Sequence, residues 1–111
     1  MLIGVTDKIL APWLEGKEYF SVSDEGEAVG VAAGYWFATG KRADVFMSAD
    51  GLCNALNFIT SWIIPNGIEM NLIISTGREE PPHKVMTDMF DKLIKLIPFN
   101  YEKVSLNIMR K

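Results

Sequence analysis

Cysteine occurs once in this chain, at position 53, and histidine once, at position 83. A single thiol excludes an internal disulfide framework and fits a reducing compartment. No grouping of His, Cys and carboxylate residues has metal-ligand spacing, so no metal is expected on this chain. Basic blocks are missing too: 11 Lys and Arg stand against 14 Asp and Glu, for a net charge of −3. That balance argues against a nucleic-acid-binding surface. The opening "MLIGVTDK" lacks the basic start and long apolar run of a signal peptide. The most apolar stretch, "LCNALNFITSWIIP", is too short for a membrane span and carries Asn54 and Asn57. A cytoplasmic protein is expected, with no membrane partner. Internal repeats, low-complexity tracts and linkers are also missing, so the 111 residues form one domain with a single core, 1–111.

What is present is an alternation. The short β-rich runs "LIGV", "YFSV", "ADVFMS" and "MNLIIST" each precede a longer helical pattern, and "YEKVSLNIM" closes the chain as a candidate last strand. Strands alternating with helices are the pattern of βαβ units around a parallel sheet. The spacing predicts helices over Asp7 to Leu14, Asp24 to Thr39, Asp50 to Ile64 and Lys84 to Ile97, with Gly40 and Pro65 as stops for two of them.

The two ends of such a sheet differ in chemistry. Loops from helix into strand read "EGKE", "GKRAD", "PNGIEM" and "PFNYEK", ordinary turn punctuation. Loops from strand into helix read "TDK", "SDEGE", "SADG" and "STGREEPPHK". In open parallel sheets ligands bind outside the carboxyl ends of the strands, where this second set gathers. Asp7, Asp24, Glu25, Glu27, Asp50, Glu79 and Glu80 line that edge, offset only by Lys8 and Arg78. Such an edge repels phosphate, and no Gly-rich loop with a lysine is present to cradle a diphosphate.

Two helical segments ask for a neighbour. "GLCNALNFITSWII" is apolar nearly all round, which implies cover on both sides. In a chain this small the second cover is another subunit, so an oligomer is expected. "SDEGEAVGVAAGYW" holds Gly26, Gly30 and Gly34 inside a helix, at a cost of roughly 1 kcal/mol each against alanine. Removing side chains lets a second helix or a ligand approach the backbone. By contrast "KVMTDMFDKLIKLI" is one-sided and packs on the sheet. At the start of the glycine-bearing helix, Asp24 and Glu27 have capping-box spacing. Glu25 is left over, and a carboxylate in a first turn gains roughly 0.3–1 kcal/mol from the helix dipole without any further role.

From Ile3 onward the chain resembles the pyrimidine-binding domain of thiamine-diphosphate-dependent decarboxylases, and most of all phosphonopyruvate and sulfopyruvate decarboxylases. "DEGEAVGVAAGYWFATGK" matches a family segment ending in Glu followed by a small-residue helix ending "AAGYYLATGK". "MSADGLCNALN" matches a "QNSGLGNALN"-type turn and helix, "ISTGREEPPH" a Gly-Arg-Gly-Glu segment, and "GVTDK" falls where the family has "GVPDS". The four motifs stand in order at similar spacing and cover most of the chain, to about Met86.

The resemblance implies a flavodoxin-like α/β fold, an open parallel sheet with helices on both faces. It implies that Glu25 is the catalytic acid, hydrogen-bonded to a pyrimidine nitrogen so as to favour the tautomer that deprotonates the thiazolium carbon. Gly51 and Asn54 then join Glu25 on the cofactor side, and Asp7, Arg78 and His83 on the side of an anionic 2-oxo acid substrate. The family holds the diphosphate and its Mg2+ through a Gly-Asp-Gly segment on a second domain, and no "GDG" occurs here. The chain therefore looks like one subunit of a split enzyme, inactive without a diphosphate-binding partner.

Departures from the family pattern accompany the match. Met1 starts almost inside the first strand and no final helix follows, so the expected fold is truncated at both ends. Glu79 replaces a Gly, Asp50 stands where Ser is usual, and Cys53 where Gly is usual. Several residues keep two readings. His83 is a substrate contact or a helix-start residue. Arg78 binds a phosphonate or sulfonate bidentately, or pairs locally with Glu79 or Glu80. Asn54 and Asn57 serve an interface or cofactor, or are satisfied by capping or a buried water. Cys53 is expected to be a small buried hydrophobe, and Met86, Met89, Trp36 and Trp62 core or interface filler. Two other functions stay in play: a non-catalytic interaction or regulatory module that keeps the subunit interface, and a protein binding a small ligand alone at the acidic edge.

Overall fold

The runs "DVFMS" and "NLIIST" carry consecutive apolar side chains, as strands covered on both faces do, and they form the middle of the sheet. The computed structural model describes residues 1–105. Strands β1 (Leu2–Gly4), β2 (Phe20–Ser21), β3 (Asp44–Ser48), β4 (Asn71–Thr76) and β5 (Asn100–Ser105) pair in the order β2-β1-β3-β4-β5, all parallel. Four helices connect them: α1 (Leu10–Leu14), α2 (Glu25–Thr39), α3 (Ala49–Phe58), which runs on into a π-helical turn at Ile59–Ile63, and α4 (His83–Ile94). The fold is α/β and flavodoxin-like, with helices on both faces of an open sheet.

Alternation along the strands assigns the faces. Ile3, Val45, Met47, Leu72 and Ile74 pack with buried residues of α2, α3, the π-helical turn and α4. Phe46, Ile73 and Val104 point the other way, against Ile9, Leu10 and Leu14 around α1. Three long helices thus cover one face and a five-residue helix the other. β1 and β3 approach closely at Gly4, where an added Cβ would lie 1.9 Å from the Phe46 carbonyl oxygen. Only glycine fits there.

Element limits differ from the expected ones where side chains cap. Asp7 stays outside α1 because its carboxylate accepts from the amides of Ile9 (3.0 Å) and Leu10 (2.8 Å). Asp24 is the N-cap of α2, accepting from the Glu27 amide at 2.8 Å. The reciprocal carboxylate of the expected box turns instead to the Ser23 hydroxyl, 2.8 Å away. Gly40 ends α2 with φ 72° and its N–H on the Trp36 carbonyl, as a left-handed stop does. α4 begins at His83 and ends at Ile94, short of the expected Ile97. Of the expected strand "YEKVSLNIM", residues 101–105 belong to β5 and the rest lies outside the described residues.

Burial corrects two expectations, at Cys53 and along the last helix. Cys53 is exposed, because α3 turns Leu52 and Ala55 to the sheet and carries position 53 on the far side. Val85, Met89 and Leu96 are exposed although they belong to the apolar pattern of the last helix, since the sheet reaches only Phe90, Ile94 and Ile97. Gly30 and Gly34 meet nothing: an added Cβ at either would stand in open space. Beside them α2 and the α3 segment leave Phe37, Phe58 and Trp62 exposed, with the Trp62 ring 5.9 Å from Phe37 and 5.4 Å from Phe58. No helix among the described residues is long and apolar enough to cross a membrane.

Candidate functional site

In a sheet of this order the chain leaves β1 toward one face and β3 toward the other, opening a crevice at their carboxyl ends. Asp7 follows β1, and Ala49, Asp50 and Gly51 follow β3. Glu25 enters from the first turn of α2 beside them. Ser48 caps α3 by accepting from the Gly51 amide at 2.9 Å, which fixes that turn.

Glu25 is one of two buried polar residues in the molecule's described part, at 7% exposure. Asn54, one turn into α3, donates its amide to Glu25 Oε1 at 3.0 Å. The other oxygen rests on Gly51, where an added Cβ would come within 2.4 Å of Oε2 and 2.9 Å of Cγ. Oε2 has no hydrogen bond within the described residues, yet none of their fully buried side-chain oxygens or nitrogens lacks a partner. Oε2 therefore reaches the surface. This is a carboxylate held in a fixed direction with one open acceptor, able to take a hydrogen bond from a ligand's donor.

The sequence-predicted residues fall into four separate arrangements. Glu25, Gly51 and Asn54 meet at the α2–α3 junction. Across the same first turn of α3, Asp50 Oδ2 lies 2.7 Å from His83 Nδ1, at the start of α4. Asp7 is engaged in the structure: besides capping α1, its Oδ2 accepts from the Ser75 hydroxyl at 2.5 Å, tying the end of β4 to the loop after β1. Arg78 pairs with Glu80, with Nε and Nη2 both 2.6 Å from Glu80 Oε1.

The acidic edge is offset more than the sequence suggests, because Lys84 also reaches it, 3.5 Å from Glu79 and in contact with Asp88. A hydrogen bond from its own backbone N–H, and then Arg78, hold the Glu80 carboxyl below the usual range. Lys84 is shifted up, first by its hydrogen bond to Asp88. Among the described residues no group of three or more His, Cys, Asp or Glu could hold a metal ion. A cleft of about 450 Å³ lies at the opposite edge, lined by residues including Leu2, Trp13, Asp44, Asn71 and Asn100, and includes none of the expected site residues.

Sequence reasoning missed the pairings. Asn54 faces Glu25, Ser75 faces Asp7 and Asp50 faces His83, pairs separated by 29, 68 and 33 positions. Only Ser48 carried a local signal, as the residue three before Gly51 at a helix start. No protein-family model matches this chain, and no curated protein matches it either.

Proposed function

We propose that the chain is the pyrimidine-side subunit of a thiamine-diphosphate-dependent 2-oxo acid decarboxylase, of phosphonopyruvate or sulfopyruvate type, working only with a diphosphate-binding partner subunit. The observation that carries this reading is the Glu25 carboxylate, buried at the carboxyl edge of the sheet with Oε1 on Asn54 and Oε2 open above Gly51. Glu25, Asn54 and Gly51 fit the pyrimidine end of the cofactor. A carboxylate so held accepts a hydrogen bond from a ring nitrogen in one orientation, and the surrounding burial strengthens that contact. The diphosphate end does not fit this chain: Ser48 occupies the start of α3, Asp50 stands beside it, and no lysine-bearing glycine loop is present. The partner therefore holds the diphosphate and its Mg2+. When bound, the cofactor supplies the nucleophile and the electron sink that loss of carbon dioxide requires. Glu25 holds the ring and its proton, and Asn54 keeps Glu25 from turning to solvent.

The partner, on this reading, covers the exposed side of α2 and α3. Gly30 and Gly34 leave room for it, and Phe37, Phe58 and Trp62 give it an aromatic surface. The same aromatic surface supports the second reading, a non-catalytic module that kept its interface. Calorimetric titration of thiamine diphosphate with Mg2+ into the chain alone, and into its mixture with a candidate diphosphate-binding subunit, separates them. Binding and carbon dioxide release only in the mixture support the enzyme. A mixture that associates but binds no cofactor supports the module, and binding to the chain alone supports neither.

A further inference from the structure

We propose that Asp50 is a positioning residue that locks the His83 ring with its proton on Nδ1, so that Nε2 is the one ring atom through which protons pass to a ligand at this edge. His83 Nδ1 and Asp50 Oδ2 are 2.7 Å apart, in the range of charge-assisted bonds. An ionised carboxylate only accepts, so Nδ1 carries a hydrogen in the neutral ring and in the charged one. Every proton gained or lost by the ring then moves at Nε2. That nitrogen has no hydrogen bond within the described residues, whose fully buried polar side-chain atoms are all partnered, so Nε2 reaches the surface.

The ring is held from its backbone as well, since the His83 N–H donates to the Glu80 carbonyl at 2.8 Å. Its own segment brings Arg78, Glu79, Glu80 and Lys84 nearby, but these are engaged with one another: Arg78 with Glu80, Lys84 with Glu79 and Asp88. α3 contributes Asp50. The same turn of α3 that seats Glu25 on Gly51 therefore orients an imidazole through the residue just before it.

This assignment rests on the decarboxylase reading for its ligand and deepens it. Converting a 2-oxo acid anion to an aldehyde breaks the bond to the carboxylate carbon and releases carbon dioxide. The bonding pair is left on the former carbonyl carbon, which takes up one proton to become the aldehyde C–H. Nε2–H of His83 delivers that proton while Nδ1–H stays on Asp50, and water reloads Nε2.

His83 is the single histidine, so the imidazole signals of a 15N-labelled chain have no other source. Across an acid–base titration the Nδ1 signal is expected to stay at its protonated position while Nε2 moves through its full range. Asp50→Ala releases the ring, and Nδ1 joins the titration. A wild-type ring that keeps its proton on Nε2 overturns the assignment without any variant being needed. In the assembled complex His83→Gln lowers kcat by about 10²–10⁴-fold and Asp50→Ala by about 10–100-fold, with KM changing less. Unchanged kcat in both overturns the proton delivery but leaves the decarboxylase reading standing. A wild-type complex without decarboxylation removes that reading, and the nitrogen signals still decide whether Asp50 locks the ring.

Discussion

Two carboxylates flank the first turn of α3, and they are built differently. Glu25 is buried, comes from another helix, and leans on a glycine with an amide holding one oxygen. Asp50 belongs to α3 itself, has 44% of its side chain exposed, and holds a ring whose side chain is 27% exposed. A buried carboxylate is costly unless its partners are kept, so its surroundings are fixed for it. An exposed carboxylate contributes little to folding and is free to serve its partner. The first is a group whose position the fold guarantees, and the second is a group that guarantees the position of something else.

The comparison breaks most visibly at Glu25 itself. On the decarboxylase reading, Glu25→Gln in the assembled complex is expected to lower turnover by about 10²–10⁴-fold while cofactor still binds, because the amide keeps the shape but would not hold the ring proton. Turnover equal to wild type would remove Glu25 from the chemistry. Gly51→Ala probes the seat: the added methyl forces the carboxylate off its site at about 1–3 kcal/mol, read from urea unfolding. In a Glu25→Ala background the same substitution loses its cost, with a coupling on the order of 0.5–3 kcal/mol. Additive effects would mean that the glycine serves something other than Glu25.

Asn54→Ala leaves Glu25 Oε1 without its donor and costs about 1–3 kcal/mol, whereas Asp50→Ala costs less than about 1 kcal/mol. Equal unfolding midpoints for these two variants would erase the distinction between the junctions. The smallest effect is electrostatic and lies in the loop before α4. Glu80 is held below its ordinary value of 4.5, so its folded form binds its proton less readily than the unfolded chain. Its contribution is whole above that value and is lost as pH falls through the lower folded one. The melting difference between wild type and Glu80→Gln should be full above 4.5 and shrink as the pH falls below it.

The sheet was legible because its information is local. Apolar runs mark β3 and β4, Asp24 and Gly40 mark the ends of α2, and the alternation of types implies parallel crossovers. The acidic edge was legible for the same reason, since loops after strands gather at one end in any such sheet. Pairings were not. That Asn54 turns to Glu25, or Asp50 to His83, depends on how neighbouring helices stand side by side, and no residue near either partner encodes it. The exposed Cys53 was misread because α3 is apolar on both sides, so the pattern does not say which side meets the sheet. Arg78 had Glu79 and Glu80 as local partners, and it pairs with Glu80.

β2 is a two-residue strand at the margin of the sheet, both its residues exposed, and it leads directly into the segment that carries Asp24 and Glu25. Margins of this kind open readily in sub-global fluctuations, and their amides exchange long before those of the interior. Glu25 is not tethered through that margin. α2 is pinned farther along by Ala28, Val29, Ala32 and Ala33 in the larger core, and α3 closes on the acid from the other side. Fraying of β2 therefore leaves the acid in register. Hydrogen exchange would show the cooperative unit that contains Glu25 to be the helical pair, with the strand that delivers it a looser attachment.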